Sequence, residues 1–122
     1  MKARDVKTKE DAIAILNERN LTHVKVGIFD MDGVMRGKYM SKEKFISSLD
    51  SGFAFCSVVL GWDAKDQPYD NISFTGWHTG YPDAPVRIIL ESCRDIPFED
   101  NMLLFIGEFT EEAAEICPRS LL

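Results

Sequence analysis

The stretch from Val24 to Met40, VKVGIFDMDGVMRGKYM, constrains the fold more than any other. Val24, Val26 and Ile28 alternate along its first arm with the period of two that turns one face of a strand toward a core. Asp32-Gly33 then interrupts the pattern with a dipeptide favoured in the tight turns of antiparallel hairpins. His23 to Asp30 and Val34 to Met40 are therefore predicted as two strands joined by a turn over Met31 to Gly33, with Arg36 and Lys38 on one face of the second. Parallel strands would need crossovers of about a dozen residues or more, usually helical. After Gly52 no amphipathic stretch is long enough to supply them.

Local signals place the remaining elements. Thr8, with Asp11 three residues on, has the pattern of a capping box, and Ala12, Ile13, Ile15 and Leu16 follow at helical spacing, which predicts a helix from about Lys9 to Arg19 ended by Asn20. Ser41 is an expected N-cap for a second helix, Lys42 to Asp50, with Phe45, Ile46 and Leu49 as its apolar stripe and Gly52 as its stop. Phe53 to Trp62, rich in aromatic and β-branched residues, is predicted as a strand buried on both faces for much of its length. Val86 to Glu91 and Met102 to Phe109 are two further strands, and Thr110 to Glu115 suggests a short helical turn. No internal repeat or low-complexity tract is present.

At 122 residues the chain is expected to form one domain, a single sheet with one or two helices. Its net charge of -6 argues against a nucleic-acid partner, which wants clustered Lys and Arg. Neither an apolar leader nor eighteen consecutive apolar residues occur, so no export or membrane insertion is expected. Cys56, Cys93 and Cys117 are odd in number and lack C-x-x-C spacing, which fits reduced thiols in a cytoplasm.

Between Gly61 and Pro82 more than twenty residues dense in Gly, Pro, Asp and aromatics lack regular patterning, a length that usually signals function or mobility. Trp62, Tyr69, Trp77 and Tyr81 suit a docking or lid segment, or they fold back on their own sheet. His78 beside Asp70 or Asp83 has no second His at ligand spacing, so no metal site is expected.

Two family resemblances meet at Asp30. The run Ile28-Phe29-Asp30-Met31-Asp32-Gly33-Val34 resembles the aspartate motif of haloacid-dehalogenase-like phosphatases, in which one carboxylate attacks phosphorus and another moves a proton. That chemistry also needs a Ser or Thr and a Lys to hold the phosphate and a late acidic pair for magnesium, and no late Gly-Asp-x-x-x-Asp-like cluster follows. Read through Arg36-Gly37-Lys38, the stretch instead resembles the opening hairpin of the glutamine synthetase family. The likeness continues at Leu60 to Asp63, at Tyr81-Pro82-Asp83, at Ile96-Pro97-Phe98, at Met102 to Phe109 and at Cys117-Pro118-Arg119-Ser120-Leu121-Leu122, in order and spacing from about Thr8 to Leu122. The pattern is nearer the branch resembling γ-glutamylpolyamine synthetases than glutamine synthetase proper. Phe55-Cys56-Ser57-Val58 stands where true glutamine synthetases carry Phe-Asp-Gly-Ser-Ser, whose Asp helps bind ammonium, and Cys56 cannot serve as that charge.

The resemblance implies an α+β fold, a β-grasp-like mixed, mostly antiparallel sheet packed on a helix, spanning residues 1–122 as the amino-terminal domain ahead of a catalytic domain that this chain lacks. It implies a parent enzyme that phosphorylates the γ-carboxylate of glutamate with ATP, then lets an amine attack, with Mg or Mn offsetting phosphate charge. The implied partners are the chain's own catalytic domain and neighbouring subunits of a homo-oligomeric ring, each active site lying between subunits. Cys56, Trp62, Asp63, Trp77 and His78 are then the substrate-proximal residues, with no catalytic residue, metal ligand or bound cofactor in this chain. A free-standing β-grasp binding module is the alternative.

Overall fold

A computed structural model describes residues 1–30, 33–56, 65, 67 and 83–110. Helix α1 is Lys9–Glu18, strand β1 is His23–Phe29, and β2 is Met35–Ser41. Helix α2, Lys42–Ser51, leads into β3, Phe53–Cys56, and β4, Asp83–Asp95, and β5, Leu103–Phe109, complete the described elements. A short 3-10 turn, Ala3–Asp5, precedes them and packs against β4.

Each helix forms where its ends are satisfied. The Thr8 hydroxyl accepts the Asp11 amide at 3.1 Å, and the Asp11 carboxylate accepts the amides of Thr8 and Lys7, so the expected capping box closes. Those backbone donors hold the Asp11 carboxyl below its ordinary pKa. At the other end Asn20 turns left-handed, with φ 56°, and the Leu21 amide donates back to the Leu16 carbonyl. Ser41 caps α2 by accepting the Lys44 amide. Gly52 ends it with φ 74° and ψ -173°, a conformation open essentially to glycine.

The sheet has the order β2-β1-β5-β4-β3, with every pair antiparallel except β1 with β5. This is the mixed, mostly antiparallel α+β architecture of a β-grasp-like domain. Val24, Val26 and Ile28 face α2 as their alternation predicts, and Phe45 of α2 meets Phe105 of β5 with ring centroids 4.7 Å apart. Ile15 and Leu16 of α1 join the same core, all of these side chains being buried.

The hairpin closes at its expected limits: Phe29 pairs with Met35, and the Asp30 amide donates to the Val34 carbonyl at 3.0 Å, on either side of residues 31–33. Gly33, at φ 83°, fills the left-handed position that such loops reserve for glycine. The strand expected over Phe53 to Trp62 is an edge strand whose described part ends at Cys56. That described part is not buried on both faces, because the helices cover only one side of the sheet and Ala54 points to the other; the rest of the expected strand lies outside the described residues. Strand β4 outruns its expected Val86 to Glu91 limits by crossing a bulge between Ile89 and Arg94. There the Ser92 hydroxyl accepts the Ile106 amide at 2.7 Å and donates to the Ile89 carbonyl, supplying partners that the interrupted ladder cannot. The helical turn expected at Thr110 to Glu115 lies, beyond Thr110, outside the described residues.

A Cβ at Gly52 would stand 2.6 Å from the Val86 carbonyl oxygen, whereas one at Gly33 would meet nothing within 4 Å. Gly52→Ala is therefore expected to destabilise the domain by about 2 kcal/mol or more, against about 1 kcal/mol for Gly33→Ala. Urea unfolding of the two variants checks this, and equal losses would contradict the contact at Gly52.

Candidate functional site

Asp30 closes the β1–β2 hairpin and is wholly buried. Its Oδ1 accepts the Val34 amide at 2.8 Å, and its Oδ2 accepts Arg36 Nε at 2.9 Å. A carboxylate with both oxygens engaged and no exposed surface is poorly placed to attack phosphorus, so the phosphatase reading is not favoured. The site instead explains the hairpin: a buried charge needs a cation and hydrogen bonds, and both come from the strand that follows the turn. Asp32 lies outside the described residues.

Cys56 ends β3, half-buried, opposite Asp83 of β4. It lines a groove of about 640 Å³ walled by β2, the last turns of α2 and β3. Trp62, Asp63, Trp77 and His78, named with Cys56 from the sequence, lie outside the described residues.

The same groove holds a group that the sequence did not single out as a site. Lys38 of β2 places Nζ 4.9 Å from the Phe53 ring centroid and 5.4 Å from that of Phe55. Burial pushes its pKa down, the Lys44 charge adds to this, and Asp83 opposes it. The available signal was its place between Arg36 and buried Met40 on the inward face of β2, a position where a charge is out of pattern. On the outward face, Glu99 accepts Lys25 Nζ at 3.1 Å and the Tyr39 hydroxyl at 2.8 Å. These bonds hold the Glu99 carboxyl below its ordinary pKa and raise those of Lys25 and Tyr39.

Among the described residues no group of three or more His, Cys, Asp or Glu side chains could hold a metal ion, and no helix is long and apolar enough to cross a membrane.

No protein-family model matches the sequence. Among curated proteins, the chain is 47% identical over 114 residues to type-1 glutamine synthetase 2 of Dictyostelium discoideum, covering 88% of this chain and 22% of that protein. It is 32% identical over 112 residues to glutamate–isopropylamine ligase of a Pseudomonas species, covering 88% and 24%. It is 23% identical over 117 residues to γ-glutamylethanolamide synthetase of Streptomyces coelicolor, covering 93% and 25%. The chain thus spans about a quarter or less of the length of these relatives. Among solved structures, apo GmaS without ligand superposes with a TM-score of 0.57 at 14% identity, over 82% of this chain and 21% of that one. At that identity the likeness speaks to fold alone.

Two measurements check the local chemistry. Arg36→Met is expected to destabilise the domain by about 3 kcal/mol or more by stranding the Asp30 charge, and Asp30→Asn/Arg36→Met by less, so an additive double mutant would contradict the pairing. Burial raises the Cys93 thiol pKa to about 11. The folded state therefore holds this proton more tightly than the unfolded one, and stability should fall as pH rises from about 9 toward 11. Cys93 should resist iodoacetamide at pH 8 until the domain unfolds, as peptide mapping would show.

Proposed function

This chain belongs to the glutamine synthetase family, corresponding to its amino-terminal domain, and on that premise we propose that it serves an ATP-dependent glutamate–amine ligase by forming one wall of an active site shared between subunits. The observation that carries this reading is the 47% identity over 114 residues to a type-1 glutamine synthetase, supported by the β-grasp-like sheet. The domain supplies shape rather than reacting groups. Cys56, at the end of β3, leads toward the segment holding Trp62, Asp63, Trp77 and His78, and this end of the domain is the one we assign to the neighbouring subunit's substrates.

ATP and the divalent metal belong, in this proposal, to the catalytic domain, where phosphorylation of the glutamate γ-carboxylate would make the acyl phosphate that an amine attacks. The domain alone is inactive. We assign the whole enzyme to a homo-oligomeric ring in the cytoplasm.

The relatives' names differ in the acceptor, one specifying glutamine and two specifying amides of organic amines. Cys56 favours the second class. A cysteine offers no carboxylate to hold ammonium, whereas an organic amine brings apolar area that can be buried. We therefore propose an organic amine, in the manner of the γ-glutamylpolyamine synthetase-like branch.

The full-length protein carrying this domain is expected to release ADP in the presence of glutamate, magnesium and a primary amine, while the 122-residue chain releases none. Cys56→Asp in the full-length protein should raise turnover with ammonium relative to the organic amine. A full-length protein that ligates no amine would overturn the proposal. So would magnesium-dependent hydrolysis of an aryl phosphate by the isolated chain that is lost in Asp30→Asn.

A further inference from the structure

We propose that the groove between β2, α2 and β3 binds a compact oxyanion, the carboxylate or phosphate group of a small molecule, through Lys38 and Lys44. The inference rests on the groove itself and is independent of the ligase reading. Lys38 is held in place from below: the rings of Phe53 and Phe55 contact its ammonium on the side toward β3. Ring faces attract a cation but accept hydrogen bonds poorly, so its N–H donors are left to be satisfied from the groove. Among the described residues no carboxylate forms an ion pair with Lys38 or Lys44, whereas Lys9, Arg19, Lys25, Arg36 and Arg87 are each matched to one.

The two lysines share one opening. Both line the groove, and the charge of Lys44 adds to the depression of the Lys38 pKa, so the ammonium groups sense each other across it. An oxyanion between them would relieve that repulsion and restore partners to donors that burial has partly taken from water. Ser47 lines the same wall of α2 and adds a hydroxyl donor, while the Ser51 hydroxyl already donates to the Ser47 carbonyl at 3.2 Å. Asp83, on the opposite wall, is the single carboxylate lining the groove among the described residues, and two cations outweigh it. At about 640 Å³ the groove has room for a metabolite larger than the anionic group itself.

The test is an NMR titration of the 122-residue chain at low ionic strength with two probes, inorganic phosphate and glutarate. At least one should give saturable shifts centred on the amides of Lys44, Phe53 and Phe55. Saturation by phosphate alone would identify a phosphate site, and by glutarate alone a carboxylate site. Lys38→Met should weaken the apparent affinity about tenfold or more, Lys44→Gln should weaken it less, and raised salt should weaken it in all forms. If Lys38→Met fails to fold, Lys44→Gln, on the exposed surface of α2, decides. Absence of saturation with both probes, shifts centred elsewhere, or an affinity unchanged in the variants would overturn the proposal.

Discussion

The length of α2 governs this domain. The helix runs from the last residue of β2 to within one residue of β3, and those two strands are the opposite edges of a five-stranded sheet. At a strand spacing of about 4.8 Å, the edges of a flat sheet of this size would lie about 19 Å apart. A ten-residue helix covers about 15 Å of this, with short links at each end. The sheet curls, since Lys38 of one edge strand meets the rings of Phe53 and Phe55 of the other, and α2 packs against β1, β2 and β4. Phe45 meeting Phe105 on the central strand β5 is the packing that follows, and Gly52 allows the chain to turn directly from helix into edge strand.

Curling also explains how residues at opposite edges of the sheet come to share an opening. Lys38 reaches the rings of β3 because the concave face folds its borders toward each other beyond the end of the helix. The Asp30–Arg36 pair does related work within the hairpin. It ties the loop to β2 from the buried side, so the strand that carries Lys38 is held at its start by a charge and at its end by the Ser41 cap.

What was legible in the sequence follows from how local each signal is. Thr8 with Asp11, Ser41, and the alternation of Val24, Val26 and Ile28 are read within a few residues, and α1, α2 and the hairpin appeared close to their expected limits. The bulge in β4 depends on Ser92 meeting Ile106, and the parallel pairing of β1 with β5 joins segments far apart in the chain, so neither leaves a local trace. Of the candidate site residues, Cys56 came from family resemblance, while the environment of Lys38 came only from the curl. Asp30 was legible as the last residue before the turn. Its burial against Arg36 required the register of β1 on β2.

The parallel pairing of β1 and β5 bears on how such a chain is made. On a ribosome the hairpin and both helices emerge early, yet β1 waits for β5 to occupy its second edge. Until then Val24, Val26, Ile28 and Phe45 face a core that lacks Phe105, and α2 has no central strand to rest on. Pairings so distant along the chain form late, because their loop-closure entropy is met before any contact rewards it. The nascent domain therefore carries an unpaired strand edge and open apolar surface through most of its synthesis, the condition in which a polypeptide most depends on chaperones.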